Sequence, residues 1–437
     1  MEQTTTEQTI TEQIDRPLRR RAMTTAILCQ VFGVLGIQSI EQNGLLVLYY
    51  RRLGLSASAT LSLISLFALI HSGGRVPLSH LADRLGRKRV GMAGTSIVVV
   101  SLLLIAAAGS FSGASLRFLA FSGLVLFAIG EAIFGAGWFS VLHPIIPGRR
   151  RGMFFGALRV SWQLFGIGFA AAAALLIGLF PDLWTYQVVF FSVAVAAFAR
   201  VLLFRRLPDL APMDDSGLSF GRSFRNVLAL PAVKGFLVYV FGRYVFFGAV
   251  LQLLALLERE VLGVPDSIVV SLANFGLIGN VAGFLFGAVL VDGSGRHPFF
   301  FGTHVATVAL LVGFGLRAVI PGYPVIPLYA LFHLLLGTSE AIFSVSMTAE
   351  QFSLVREEGK ALALSILSLA YVGGRAVSRF GVSLLLGSQG LPPTMTFGGY
   401  TISNYDLLLF LLAGGLLVTI PLLRLVRRPG EALPPAS

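Results

Sequence analysis

Charged residues in this chain occur in short clusters, and between the clusters run apolar stretches long enough to cross a bilayer. A hydrocarbon core of about 30 Å takes roughly 20 helical residues. Drawn on that criterion, the spans fall near 24–48, 57–80, 91–110, 118–143, 153–179 and 184–203, then 235–256, 266–290, 299–319, 325–347, 360–387 and 405–423. Only 12% of residues are charged, against roughly a quarter in soluble globular chains. The expected fold class is therefore an all-α membrane protein of twelve transmembrane helices.

An even number of spans puts both termini on one side, and the basic residues say which. Arg16, Arg19, Arg20 and Arg21 precede span one, and Arg84, Arg87, Lys88 and Arg89 follow span two. Arg149, Arg150 and Arg151 follow span four; Arg205, Arg206, Arg222 and Arg225 follow span six; Arg424, Arg427 and Arg428 follow span twelve. The other face carries only Arg51, Arg52, Arg117, Arg259 and Arg317. The positive-inside rule makes the richer face cytoplasmic. It also accounts for the +12 charge without nucleic acid, which is not expected as a partner. The lone Cys29 allows neither an intrachain disulfide nor a thiolate metal cluster. The opening MEQTTTEQTITEQ lacks the basic and apolar regions of a cleavable signal.

Residues 1–22 are expected to be a disordered cytoplasmic tail, 23–204 and 235–424 two six-helix bundles, 205–234 a cytoplasmic linker and 425–437 a second tail. The halves echo each other. Leu81-Ala82-Asp83-Arg84-Leu85-Gly86-Arg87 follows span two, and Leu290-Val291-Asp292-Gly293-Ser294-Gly295-Arg296 follows span eight; the aspartates are offset by 209 (292 − 83). Glu131-Ala132-Ile133-Phe134 in span four and Glu340-Ala341-Ile342-Phe343 in span ten share that offset (340 − 131). Two unrelated matches at one offset imply a duplicated, pseudo-symmetric six-helix unit.

The stretch Ser79-His80-Leu81-Ala82-Asp83-Arg84-Leu85-Gly86-Arg87-Lys88 resembles the loop signature of the major facilitator superfamily, Gly-x-Leu-Ala-Asp-Arg-x-Gly-Arg-Lys, with Ser79 at the first glycine. The degenerate copy keeps Leu290, Asp292, Gly295 and Arg296, with Ala288 at the glycine position. With the twelve-span layout the resemblance covers residues 23 to 428. It implies a secondary transporter working by alternating access. It further implies a conformational latch at Asp83, Arg84, Gly86, Arg87 and Lys88 and at Asp292, Gly295 and Arg296. Asp83 would pair with Arg149–Arg151 or with the start of span eleven near Gly359. The competing reading is that Arg87, Lys88 and Arg89 only fix topology. Independently of the name, Gly86 suits a tight turn.

Ionisable residues inside spans cost about 2.5–3.5 kcal/mol each on insertion scales and call for a reason. Gln38, Glu41 and Gln42 share a face of span one; Glu131 and Glu340 stand mid-span in four and ten; Arg243 and Arg375 stand mid-span in seven and eleven. Arg159, Trp162 and Gln163 share a face of span five, and Asn274 lies in span eight. In the fold the resemblance implies, spans one, four, seven and ten line a central cavity. These residues are then the expected substrate or proton path, with Glu41, Glu131 or Glu340 as proton carrier and Arg159 and Arg243 as counter-charge or anion anchor. Trp162 is suited to stacking on a ring, and Gln38, Gln42, Gln163 and Asn274 to orienting hydrogen bonds. The competing reading is that the matched glutamates close ion pairs between helices. Arg375 and Arg379 share a face and are candidate substrate contacts, whereas Arg75, His71 and His333 read as snorkelling or helix-end groups. Gly166-Ile167-Gly168 reads as a helix contact.

The expected function is proton-coupled symport of a small polar or anionic solute, with a proton gradient as energy source and no cofactor or metal. The setting is a plasma membrane, of the bacterial inner-membrane kind, and a monomer is expected. The alternative is a proton-coupled drug exporter. Exporters of the family commonly carry Gly-x-x-x-Gly-Pro-x-x-Gly-Gly in span five and an arginine early in span four. Here Leu164-Phe165-Gly166-Ile167-Gly168-Phe169-Ala170-Ala171 lacks the proline, and Val125, Leu126 and Phe127 fill the other stretch. A receptor or scaffold on the same fold is the reading from another class. It calls for a sizeable soluble extension, which these tails are not expected to supply. No nucleophile–base set or phosphate-binding loop points to an enzyme or an ATP-driven pump.

Overall fold

The structure is a computed structural model that describes residues 16–142, 145–146, 151–209, 228, 231–294, 297–320, 322–354, 360–388, 391–397 and 399–426. Its helices are α1 (Arg16–Glu41), α2 (Leu45–Arg52), α3 (Ala57–Leu85), α4 (Arg87–Ala107), α5 (Gly113–Leu142), α6 (Arg151–Leu179) and α7 (Leu183–Arg206), followed by α8 (Pro231–Phe247), α9 (Val250–Glu260), α10 (Asp266–Ser294), α11 (His297–Gly315), α12 (Val325–Leu354), α13 (Lys360–Gly387) and α14 (Asn404–Thr419). Eleven helical segments among the described residues are long and apolar enough to span a bilayer, and the 28-residue α13 makes the twelfth span. Phe118, Leu175, Val289 and Val418 lie exposed on these helices, as lipid-facing side chains do. The chain is an all-α membrane protein of twelve spans in two halves.

Two spans expected to be continuous are broken. In the first, Gln42 to Gly44 separate α1 from α2. The carbonyl of Gln38 accepts from the amides of both Gln42 (2.9 Å) and Asn43 (3.1 Å), the Asn43 side chain accepts from the Leu45 amide, and Gly44 takes φ 72°. In the seventh, Gly248 and Ala249 separate α8 from α9. There the neighbouring helix supplies the partners the helix gives up: Arg379 Nε donates to the Gly248 carbonyl at 3.1 Å, and the Ala249 amide donates to Ser378 Oγ at 3.0 Å. Non-helical backbone at membrane depth persists only where such partners exist. A Cβ at Gly248 would strike the Arg375 backbone, so only glycine lets α13 come this close.

Helix α1 begins at Arg16, seven residues before the boundary placed at 23. Most of the expected linker, and residues 427–437, lie outside the described residues. Contact clustering gives two compact units, one of residues 1–56 and 66–216, the other of 57–65 and 217–437, so the first nine residues of α3 group with the second unit. A short hairpin, β1 (Thr394–Phe397) with β2 (Tyr400–Ser403), precedes α14, in antiparallel register from Thr394 against Ser403. Ser403 and Asp406 then cap α14 reciprocally, and Arg317 holds Asp406 through two bonds of 2.9 and 2.7 Å.

Candidate functional site

Three helices of the second unit bring charge together. From the middle of α12, Glu340 receives Arg243 Nη2 of α8 at 2.9 Å and the Tyr244 hydroxyl at 2.5 Å. Arg375 Nη2 of α13 stands 3.7 Å away. Two arginines therefore share one carboxylate. Arg243 is fully buried, while Glu340 and Arg375 are 18% and 26% exposed, so the cluster has one covered and one open side. Aromatic rings fix the cations: the Arg243 guanidinium lies 3.6 Å from the Phe343 centroid and Arg375 lies 5.1 Å from that of Tyr244. The Nε and Nη1 of Arg243 have no hydrogen-bond partner among the described residues. Behind the cluster, His304 Nε2 lies 3.0 Å from the Leu416 carbonyl, and its Nδ1 lies 3.3 Å from the Tyr239 hydroxyl. A carbonyl only accepts, so Nε2 carries the proton and Nδ1 accepts from Tyr239.

The matching glutamate of the first unit has a different partner. Glu131 on α5 pairs with Arg200 on α7, and both side chains are 1% exposed. The Arg200 guanidinium lies 3.5 Å from the Phe134 centroid, its carbonyl accepts from the Cys29 thiol at 3.8 Å, and Gly33 leaves room beside it. Also in this unit, buried Gln38 donates to buried Gln163 at 2.7 Å, tying α1 to α6. Gly166 lies directly against that Gln38 amide, the helix contact expected of it. Trp162 packs at the edge of the cluster containing Cys29, Trp138 and Leu158. Arg159 is half-buried on α6, Glu41 half-buried at the last residue of α1, and Gln42 half-buried within the break. Asn274 is buried on α10. The path candidates thus fall into separate groups: Arg243, Glu340 and Arg375 in one unit, Gln38 and Gln163 in the other, with Glu131 held by Arg200.

Of the loop residues, Gly86 takes φ 94° between α3 and α4, as a tight turn requires. Arg87 opens α4 half-buried, and Lys88 donates to the Leu207 carbonyl at 2.6 Å, closing the end of α7. The side chains of Asp83, Arg84 and Asp292 lie outside the described residues, as do Gly295 and Arg296 and the expected partners Arg149, Arg150 and Gly359.

Sequence reasoning missed Arg200 and Glu258. Arg200 stands inside the apolar run Val193 to Phe204, but Arg205 and Arg206 follow closely and make it read as the basic end of a span. Glu258 looks like the polar end of span seven, yet it is 1% exposed and its Oε1 lies 2.7 Å from His333 Nε2. His333 is correspondingly buried and does not snorkel, because α9 supplies a carboxylate where lipid or water was expected. Arg379 likewise is buried on the break of span seven.

No curated protein sequence matches the chain. Among solved structures it resembles the nucleoside transporter NupG (TM-score 0.71, 13% identity, covering 94% of this chain and 100% of that one). It also resembles the peptide transporter POT in complex with sulfate (0.71, 13%, 96% and 97%) and a POT family transporter in complex with 5-aminolevulinic acid (0.69, 12%, 92% and 96%). At these identities the likeness establishes the fold. The family is established by sequence: residues 23–379 match the model of the Major Facilitator Superfamily, and the chain belongs to that superfamily.

Proposed function

We propose that the protein is a secondary active transporter that carries a small anionic solute, driven by a proton gradient in symport. The supporting observation is that two arginines reach one carboxylate at Glu340: Arg243 at 2.9 Å and Arg375, partly exposed, at 3.7 Å. A solute carboxylate or phosphate arriving from the open side would take Arg375, the looser and more exposed partner, while Arg243 and Tyr244 keep Glu340 in place. Tyr371 and Tyr244 flank Arg375 and would bound the solute with apolar ring faces. Arginine suits this role because its planar fork matches an oxyanion pair. The POT structures hold sulfate in one case and 5-aminolevulinic acid in another, and an anion at this chain's paired arginines fits that pattern.

The test is uptake into proteoliposomes under an inward acid gradient, using a panel of small carboxylates, phosphates, neutral sugars and lipophilic cations. Accumulation of an anion is expected, with Arg375→Ala weakening its binding about tenfold, as for loss of one partly solvated charge-assisted hydrogen bond. Uptake confined to neutral solutes, or export of the cations, would refute the reading.

A further inference from the structure

Span seven is cut into two half-helices, and each grips the same helix. The α8 half reaches Glu340 of α12 through Arg243 and Tyr244. The α9 half reaches His333 of α12 through Glu258, with Nε2 2.7 Å from Oε1. His333 and Glu340 are seven residues apart, so they share one face of α12 about 10 Å from each other. Between the two grips lies the break at Gly248 and Ala249, held by Ser378 and Arg379 of α13.

The two grips differ in access. The Glu340 group is half-open, whereas Glu258 and His333 are 1% and 3% exposed, with the Phe314 ring edge-on to the imidazole at 5.4 Å. That leaves no room for a solute between them. The smallest ligand such a pair takes is a proton. We propose that the Glu258–His333 pair is the proton-binding site of the transporter, distinct from the anion site at Arg243, Glu340 and Arg375.

The charge balance gives the reason. With one added proton the pair is Glu258 carboxylate and His333 imidazolium, net zero, and can stay enclosed. Without it the pair carries a net negative charge, and enclosing that charge is costly. The α9 half-helix therefore settles on α12 only when loaded and releases the proton when the contact opens to water. Neighbouring charged groups do not neutralise Glu258, because each has another partner. Arg259 pairs with Asp266 of α10, and Glu260 accepts from Tyr405 of α14. Arg317 holds Asp406 of α14. On α12 and α11, the Tyr329 hydroxyl donates to the Phe314 carbonyl, and His304 is engaged by Tyr239 and Leu416. Glu340 is held by Arg243. An imidazole is also the side chain whose charge changes in the range a proton gradient spans.

The proposal rests on the transport reading only for what the proton drives; the titration itself needs no solute. Proton uptake is measured with the indicator pyranine on the purified full-length protein in detergent, acidified from about pH 8 to pH 5, a range chosen to bracket imidazole titration. The Glu258→Gln/His333→Asn variant keeps a neutral hydrogen-bonding pair of similar size, so it should fold where a single change strands a charge. It is expected to take up about one proton fewer per molecule than the wild type. In wild type labelled with 15N-histidine, one imidazole shielded from water should change charge in the same step. Equal uptake by variant and wild type, or constant charge throughout on the imidazole whose signal is lost in the Glu258→Gln/His333→Asn variant, overturns the proposal. Failure of the anion reading would appear separately, in the Arg375→Ala flux.

Discussion

Removing Arg200 should destabilise the first unit more than removing the partly exposed Arg375 destabilises the second. Glu131 and Arg200 are both 1% exposed, and the two form an ion pair between α5 and α7. Arg200→Met leaves a carboxylate in a site almost closed to solvent, and Glu131→Leu leaves the guanidinium there. Breaking a buried pair on one side costs about 3–5 kcal/mol. For Glu131→Leu the stacking on Phe134, 3.5 Å from the guanidinium, stays in place, so the loss falls at the lower end of that range. In a unit of this size each kcal/mol moves the melting temperature by about 2–4 °C, so each single variant should melt about 6–20 °C lower. The double variant Glu131→Leu/Arg200→Met removes both charges at similar volume and should return to within about 1 kcal/mol of wild type. The assay is thermal unfolding in detergent for all four proteins of the cycle, with uptake measured on the double variant. A double variant as unstable as the singles would refute the ion-pair reasoning. A stable double variant without transport would put Glu131 back on the proton path.

Two further outcomes follow from close contacts. Gly166→Ala places a methyl group on the Gln38 amide and should cost about 1–3 kcal/mol by forcing α1 from α6, whereas Gly156→Ala, where a Cβ meets open space, should leave the melting temperature unchanged. Arg379→Ala removes the donor to the Gly248 carbonyl and should cost about 1–3 kcal/mol, with faster hydrogen exchange confined to residues flanking the break between α8 and α9.

The span count, the family and the glycine turn at Gly86 were legible in the sequence, because each depends on local signals: apolar length, a motif, a short loop. The two breaks were not. Gln42-Asn43-Gly44 and Gly248-Ala249 sit in runs that remain apolar on either side, and what permits the second break is Ser378 and Arg379, more than a hundred residues away. The hairpin at 394–403 falls between the spans drawn at 360–387 and 405–423, where apolar length is the wrong signal; its own mark is Gly398-Gly399 between two threonine- and aromatic-containing runs. Among site residues, Glu131, Glu340, Arg243 and Arg375 stood out by their cost in lipid. Arg200 and Glu258 did not, since each lies within six residues of a span end, where charge is ordinary. Exposure cannot be read from distance to a span end when a neighbouring helix covers the site.

The repeated tetrapeptide shows how one duplicated residue can come to stand in two different environments. Glu131 and Glu340 occupy equivalent places, and in both units a phenylalanine three residues on, Phe134 or Phe343, stacks under the arginine that pairs with the glutamate. That much is common: acid, ring, cation. The cation, however, arrives from α7 in the first unit and from α8 in the second. In the first unit the pair is sealed, and its charges balance with nothing left over. In the second, Arg375 comes in from α13 at the position offset by 209 (375 − 166) from Gly166, where the first unit has no side chain at all. That added cation, on the open side of the cluster, puts a second arginine against a carboxylate that already has one. The duplicated acid–ring–cation set is thus closed in one half and, in the other, carries a second arginine on its exposed side, so the two halves offer different chemistry from the same tetrapeptide.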